Sequence, residues 1–217
     1  MEPLPGNTAL IVIDVQVGFD DSGWGRRNNP HAEQRIADLL AAWRSRHWPL
    51  FHVRHLSLTP GSVFAERQAG SAIKASVAPV GDEPVVLKHV NSAFIGTTLE
   101  ADLRARGISD LVIVGLTTDH CVSTSIRMAA NLGFNVRCVS DATATFERTG
   151  VFGKRYDAHE VHDVTLASLS GEFAMITDTA GILTALRSTE GLSPDAFSLD
   201  INSHAQLRGE YALDCDR

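Results

Sequence analysis

The stretch of sequence that decides the fold covers residues 111–134 and reads LVIVGLTTDHCVSTSIRMAANLGF. It begins with five apolar or small residues, Leu111 to Gly115, which are rich in β-branched side chains and predict a strand buried on both faces. After a turn at residues 116–120 the apolar residues recur with helical spacing, which predicts an α-helix. A buried strand followed by a helix is typical of an α/β domain with a parallel sheet.

Cys121 lies at this junction, on the first turn of the predicted helix. A sulfur there is close to unpaired backbone N–H groups and to the positive end of the helix dipole, both of which favour the thiolate. Most free cysteines are instead small buried core residues. Because open α/β sheets bind their ligands at the carboxyl edge of the strands, the position favours a nucleophile here.

The composition is that of an ordinary globular chain, with 44% hydrophobic and 21% charged residues among 217. A net charge of −7 argues against a nucleic acid or an anionic membrane as partner. No apolar run approaches the roughly 20 residues of a membrane span, and the N-terminus lacks the pattern of a signal peptide. The three cysteines, Cys121, Cys138 and Cys215, match neither a disulfide framework nor a zinc motif. We therefore expect a cytoplasmic protein.

Strands and helices alternate along most of the chain. This alternation predicts an α/β fold with three α/β/α layers, in which helices cover both faces of a mainly parallel, six-stranded, Rossmann-like sheet. The predicted strands are residues 8–13, a segment beginning at 50, 84–88, 111–115, 135–142 and 173–177. The predicted helices are residues 31–48, 98–106, a helix after Cys121, 157–170 and a last helix ending at about 186.

Two segments do not follow this alternation. Residues 14–30 form an irregular loop whose two aromatic residues, Phe19 and Trp24, predict the wall of a pocket. Residues 54–84 form a second, longer irregular segment, and connections of this length are usually functional loops or lids.

Four histidines could suggest a metal site. His52 and His55 are expected on opposite faces of a strand, so we favour core or rim positions for them. His159 and His162 share one face of a predicted helix, without a neighbouring ligand motif, and we expect them at the surface or at an interface.

Three chemically active residues each mark the end of a predicted strand, namely Asp14, Lys88 and Cys121. In a parallel sheet these strand ends form one rim, so residues far apart in the sequence can meet there. A thiolate can attack a carbonyl carbon, a carboxylate can carry a proton, and a cation favours the charged sulfur.

Four segments together resemble the isochorismatase-like cysteine hydrolases, the family that includes nicotinamidases, N-carbamoylsarcosine amidase and ureidoacrylate amidohydrolases. The resemblance covers roughly residues 8–187, which we assign as the hydrolase domain (residues 1–187), leaving residues 188–217 as a C-terminal extension. The segments are ALIVIDVQVGF at 9–19, VVLKHVNSAFIGTTL at 85–99, the stretch at 111–134, and VHDVTLASLSGEFA at 161–174.

The resemblance implies a role for each residue of the rim. Cys121 matches the nucleophile, Asp14 the general base and later acid, and Lys88 the cation that holds the pair. The resemblance also implies a cis peptide before Thr117, with the backbone N–H groups of Thr117 and Cys121 forming an oxyanion hole.

The resemblance also implies that Phe19 lines the substrate pocket and that Gln16 is a polar neighbour of it. With Trp24 and Asn91 these residues form our candidate substrate-binding set. We further expect a small-molecule substrate and a homo-oligomer, either a dimer or a tetramer. Arg26, Arg27 and Arg54 are candidates for binding a carboxylate on the substrate, although lone arginines are more often solvated.

One departure from the family bears on the substrate. Nicotinamidases carry an Asp and a His after the second strand as part of a metal site, whereas residues 53–62 here read VRHLSLTPGS, with no Asp. We therefore expect no catalytic metal, no cofactor, and a substrate other than nicotinamide.

The cysteine favours hydrolysis of an amide or ureido C–N bond. Two alternatives stay open. One is an isochorismatase-type vinyl-ether hydrolase that uses Asp14, and the other is a ligand-binding member of the fold without catalysis.

Overall fold

The computed structural model describes residues 2–189. Its main sheet has six strands, all parallel, and a separate antiparallel hairpin has two. The strands are β1 (Ala9–Ile13), β2 (Leu50–His55), β3 (Val85–Lys88), β4 (Asp110–Leu116), β5 (Asn135–Ala144), β6 (Arg148–Thr149), β7 (Arg155–Tyr156) and β8 (Met175–Thr177). The order in the main sheet is β3-β2-β1-β4-β5-β8, and β6 pairs with β7. The two central strands, β1 and β4, are buried along their whole length.

Helices pack on both faces of the sheet. They are α1 (Ala32–Arg46), α2 (Leu99–Ala105), α3 (Ser123–Asn131), α4 (Ala158–Leu169) and α5 (Thr179–Thr189). Apolar residues of α1 and α5 form one core with one face of the sheet, and those of α2, α3 and α4 form a second core with the other face. The predicted three-layer α/β/α fold is therefore confirmed.

The structure differs from the sequence prediction in three places. The hairpin β6–β7 was not predicted, because two-residue strands carry no readable alternation of apolar and polar residues. A π-helical turn, Thr118–Val122, precedes α3. The alternating burial of β3 was also not predicted; this strand lies at the sheet edge with Val85 and Leu87 exposed.

The predicted C-terminal extension lies almost wholly outside the described residues. Helix α5 continues to Thr189, past the predicted boundary at 187. The division at 187 stays a prediction. Within residues 2–189, no helix has the length and apolar character needed to cross a bilayer.

Gly115 allows a close approach between the central strands. It pairs with Ile13 in the register of β1 and β4, and its φ of 122° is in the region that favours glycine. A Cβ added at this position would overlap the carbonyl oxygen of Ile13. Glycine is required here because the end of β4 lies directly against the last residue of β1, one position before Asp14.

We expect the substitution Gly115→Ala to lower the free energy of unfolding by at least about 3 kcal/mol, because it adds both backbone strain and a steric overlap. Gly107→Ala is the matched control. Gly107 also has a positive φ, of 62°, but no atom lies within 4 Å of an added Cβ. The control should cost only about 1–2 kcal/mol. Denaturant unfolding measures both values, and equal losses would show that the close approach is unimportant.

Candidate active site

The sheet brings Asp14, Lys88 and Cys121 together at its carboxyl edge. Asp14 follows β1, Lys88 is the last residue of β3, and Cys121 lies in the π-helical turn after β4. Lys88 Nζ is 2.6 Å from Asp14 Oδ2 and 3.4 Å from Cys121 Sγ. The lysine ammonium therefore contacts both the acid and the sulfur, which are themselves 107 positions apart in the sequence.

Lys88 is completely buried, with 0% of its side chain exposed, and Asp14 is 1% exposed. A buried charge is tolerated only when it is paired and hydrogen-bonded. Besides Asp14, the ammonium donates to the carbonyl oxygen of Val90 at 3.0 Å and lies 3.3 Å from Nδ1 of His55. These contacts fix the position of the cation at the carboxyl ends of β1, β2 and β3.

The backbone of Asp14 is unusual. Its φ is 51°, in the left-handed region that costs a non-glycine residue free energy and is found most often at functional sites. Its N–H donates to the carbonyl oxygen of Val53 at 2.9 Å, and its carbonyl oxygen accepts from the N–H of Gln16 at 2.8 Å. These two bonds hold the strained residue in place.

Gln16 supports the loop that carries the acid. Its Nε2 donates to the carbonyl oxygens of His55 and Ser71, both at 2.9 Å, and its Oε1 accepts from the N–H of His55 at 2.8 Å. Because its amide is fully engaged with the backbone, Gln16 joins three segments of the chain and has little capacity left for a substrate.

Burial controls the ionisation of the acid and the thiol. It raises the pKa of Asp14 above the ordinary aspartate value, although the positive charge of Lys88 opposes the shift. Burial, reinforced by the negative charge of Asp14, raises the pKa of the Cys121 thiol to about 12. The sequence analysis expected the start of the helix to favour the thiolate, but loss of solvation has the larger effect on this pKa and favours the thiol. Without a substrate, the site therefore contains a protonated thiol next to a carboxylate, that of Asp14, which is more basic than an ordinary aspartate.

The peptide bond between Leu116 and Thr117 is cis, as the family resemblance implied. The carbonyl oxygen of Thr117 accepts from the N–H groups of His120 and Val122 at 3.1 and 3.2 Å. Its own N–H donates to no other described residue. Thr117 and Cys121 line the same cavity, so an unpaired backbone donor is available beside the sulfur.

Side chains from two other segments anchor the turn that carries Cys121. Thr118 Oγ1 is 2.9 Å from Nδ1 of His162 on α4, and both residues are buried. The carboxylate of Asp119 accepts from the hydroxyl of Thr145 and from Nε of Arg148, the latter at 2.8 Å. The prediction of a surface position is wrong for His162, although His159 is exposed.

A cavity of about 150 Å³ opens beside the sulfur. All four candidate substrate-binding residues line it, together with the acid, the cysteine and Thr117. Lys88 is buried behind this lining. The predicted residues that line the cavity are Asp14, Gln16, Phe19, Trp24, Asn91, Thr117 and Cys121.

Three further lining residues were not assigned to the pocket from the sequence: His55, Phe64 and His120. His55 is at the rim, one of the positions the strand pattern predicted for it. Phe64 lies in the long segment between β2 and β3, where no periodicity marks it. His120 directly precedes Cys121, and this adjacency is a signal that could have identified it.

Among the other candidate ligands of the sequence analysis, Arg26 is exposed, whereas His52, Arg27 and Arg54 are engaged in structural pairs. Nε2 of His52 lies 2.9 Å from Oε2 of Glu83, and Arg27 pairs with Glu33 at 2.6 Å. Arg54 donates to Ser71. Over residues 2–189, no three or more His, Cys, Asp and Glu side chains group in a way that could hold a metal ion.

The fold defines the class of protein, together with the acid, the lysine and the cysteine at the carboxyl edge of the sheet. Residues 8–181 match the isochorismatase domain, which is well over half of the chain. The protein belongs to the isochorismatase family and is a hydrolase of that family, as its resemblance implied.

Particular relatives support this assignment. The chain is 47% identical over 171 residues to the Bacillus subtilis isochorismatase family protein YrdC, covering 79% of this chain and 91% of that one. It superimposes on a solved isochorismatase-family structure from Chromobacterium violaceum with a TM-score of 0.85 and 45% identity, covering 87% and 97% of the two chains. It is also 28% identical to Nicotinamidase 3 of Arabidopsis thaliana, covering 78% and 84%.

The pKa shifts lead to a labelling prediction. Because a thiol with a pKa of about 12 is almost wholly protonated at pH 8, iodoacetamide should alkylate Cys121 slowly there, with a rate that still rises above pH 9. Asp14→Asn removes the negative charge that raises this pKa, so the variant should react faster at every pH. Mass mapping of the Cys121 peptide measures both rates.

The buried Cys138 is the internal control for this experiment, because it should stay unmodified in the native protein. Peptide mapping also separates Cys121 from Cys215. A Cys121 rate that reaches its plateau near pH 7 would contradict the protonated thiol.

Proposed function

We propose that the protein hydrolyses a C–N bond of a small amide or ureido substrate through a thioester on Cys121. The observation that carries this proposal is the position of Lys88 Nζ, 2.6 Å from the acid and 3.4 Å from the sulfur. The cavity beside them is lined by Thr117, whose backbone N–H has no acceptor within residues 2–189. The similarity to a plant nicotinamidase supports an amide substrate. The nicotinamidase activity itself is a property of that relative.

In the first step, Sγ of Cys121 attacks the carbonyl carbon of the substrate while Asp14 accepts the thiol proton. The raised pKa of Asp14 makes it a stronger base than an ordinary aspartate. Lys88 stabilises the negative charge as it moves from the carboxylate to the sulfur. The carbonyl electrons move to oxygen, where the N–H groups of Thr117 and Cys121 act as donors.

In the second step, the tetrahedral intermediate collapses and the C–N bond breaks. Asp14 gives its proton to the leaving nitrogen, which departs as ammonia or an amine and leaves a thioester. Water then attacks the thioester carbon, Asp14 accepts a proton from that water, and the acid product leaves. The proton on Asp14 returns to the sulfur, so acid and thiol end as they began.

The position of the sulfur favours this reaction over vinyl-ether hydrolysis. An ether can be cleaved by a proton from Asp14 alone, and such a reaction has no use for a thiol in contact with the buried cation. The proposal includes a homo-oligomeric, cytoplasmic enzyme that acts on a small molecule without metal or cofactor and binds neither nucleic acid nor membrane.

We expect Cys121→Ala to lower kcat/KM by more than about 10³-fold on any amide that the protein turns over, because the nucleophile is lost. Asp14→Asn should lower it by about 10²–10⁴-fold through loss of the general base. With a slowly hydrolysed amide, intact-mass spectrometry should show an acyl adduct on the wild-type protein and none on Cys121→Ala.

Cys138→Ala is the matched control, since it removes a buried cysteine outside the cavity and should leave turnover unchanged. Two outcomes would replace the proposal. Vinyl-ether turnover that survives in Cys121→Ala but not in Asp14→Asn would indicate the isochorismatase-type reaction. Binding without turnover over a broad panel of amides and ethers would indicate a non-catalytic member of the fold.

A further inference from the structure

The turn that carries Cys121 has an unusual backbone. Residues Thr118–Val122 form a π-helical turn, which is rare and is often found at functional sites. The carbonyl oxygen of Thr117 accepts from the N–H groups of His120 and Val122, whereas the N–H of Cys121 between them does not bond to it. Because this bonding is not that of a regular α-helix, the position of the sulfur depends also on the side chains that hold the turn in place.

A buried hydrogen bond joins the turn to α4. Oγ1 of Thr118, the first residue of the turn, is 2.9 Å from Nδ1 of His162. Thr118 is 0% exposed and His162 is 5% exposed, so water does not compete for this bond. Among residues 2–189, Oγ1 of Thr118 has no other hydrogen-bond partner. Loss of the bond would therefore leave a buried polar group without a partner, which is costly.

The ionisation of His162 determines the direction of this hydrogen bond. Burial lowers the pKa of His162 below the ordinary histidine value, although the charge of Asp163 and a hydrogen bond to the backbone of Ser140 oppose the shift. The ring is therefore neutral at pH 8, and one of its nitrogens bears no proton. The hydroxyl proton of Thr118 needs an acceptor, and within the described residues only Nδ1 is in reach. The hydroxyl thus donates to Nδ1, and the ring proton is on Nε2.

The second residue of the turn is tied to different elements. The carboxylate of Asp119 accepts from the hydroxyl of Thr145, directly after β5, and from Nε of Arg148, the first residue of β6. Two successive residues are thus held from α4 and from the β5–β6 segment, and Cys121 follows two positions later. His162 itself is not part of the cavity lining. Any effect of His162 on the sulfur must therefore pass through the turn.

We propose that His162 is a positioning residue for the nucleophile. Its neutral ring accepts the hydrogen bond of Thr118 and so holds the turn that presents the sulfur to Lys88. The proposal rests on the proposed function only where it concerns turnover, and it adds a requirement for a hydrogen-bond acceptor on α4. A role in stability alone would affect unfolding and leave both the reaction and the sulfur unchanged.

Two substitutions at Thr118 separate the hydrogen bond from the packing. Thr118→Val keeps the shape of the side chain and removes the hydroxyl, whereas Thr118→Ser keeps the hydroxyl. On an amide that the wild type hydrolyses, Thr118→Val should lower kcat about 10- to 100-fold, because a small displacement of a reacting atom has an effect of this size. KM should change less than about twofold, since Thr118 does not line the cavity. Thr118→Ser should retain most of the wild-type kcat.

Two substitutions at His162 make the same comparison from α4. Asparagine can place an acceptor oxygen near the position of Nδ1, whereas leucine cannot accept a hydrogen bond. His162→Leu should therefore show the loss of kcat found in Thr118→Val, and His162→Asn should show a smaller loss. If His162→Leu does not fold, Thr118→Val still decides the question, because it removes a single hydroxyl.

Alkylation of Cys121 tests the proposal without relying on catalysis. Because burial is the main cause of the raised pKa of the thiol, a loosened turn should admit solvent and lower that pKa. Iodoacetamide should then alkylate Cys121 in Thr118→Val at least about threefold faster than in the wild type at pH 8. The rate in Thr118→Ser should be close to that of the wild type.

Thr8→Val is the matched control. Thr8 is also 0% exposed, and its hydroxyl donates to the carbonyl oxygen of Pro5 at 2.8 Å. It directly precedes β1, at the opposite edge of the sheet from the site. This variant should lose stability in denaturant unfolding about as Thr118→Val does, while kcat and the alkylation rate of Cys121 stay unchanged.

The proposal is overturned if Thr118→Val matches the control in both kcat and alkylation, or if Thr118→Ser loses as much as Thr118→Val. These outcomes differ from a failure of the proposed function. Turnover that needs Cys121 but is unaffected by Thr118→Val would keep the proposed reaction and reject the role of His162. Faster alkylation in Thr118→Val and not in Thr118→Ser, in a protein that hydrolyses no amide, would keep the positioning role and reject the reaction.

Discussion

The burial of Lys88 is the constraint on which the rest of the site depends. A lysine ammonium with no exposed surface is stable only if acceptors surround it, and Asp14 supplies a full negative charge in contact with it. The backbone of Asp14 is held in the left-handed region, and the ion pair with Lys88 offsets the cost of that strain. A separate constraint acts at position 115, where glycine allows β4, and hence the turn with Cys121, to lie close beside β1.

In the proposed mechanism, the same burial determines when the sulfur becomes a nucleophile. In an exposed site a helix N-terminus would favour the thiolate, but here desolvation raises the pKa of both the thiol and the carboxylate. A protonated thiol reacts only slowly with external reagents. In the proposed mechanism, it becomes nucleophilic when a substrate carbonyl is in position and the proton can move to Asp14. Burial would thus link the reactivity of the cysteine to occupation of the cavity.

The sequence predicted those strands and site residues that are marked by a continuous local run of apolar residues. The apolar runs of β1 and β4 determined the parallel sheet, and parallel strands place their carboxyl ends on one rim, so Asp14, Lys88 and Cys121 were expected to meet. Side chains that reach the site from irregular segments could not be found in this way. Phe64 has no periodic neighbours, and the pairing of His162 with Thr118 joins two helical segments 44 positions apart without any local signature. The ionisation of the thiol could also not be predicted from the sequence, because desolvation depends on the complete packing around the sulfur.

In the proposed mechanism, Asp14 and Cys121 work as one proton-transfer unit, held by Lys88. The kinetics of the double variant test it most directly, with kcat/KM measured on one amide for wild type, Cys121→Ala, Asp14→Asn and both changes together. Residues that act as a unit give strongly non-additive losses. We expect the double variant to be no slower than the slower of the two single variants. A double variant whose loss equals the product of the two single losses would contradict the claim, since the acid and the sulfur would then contribute independently.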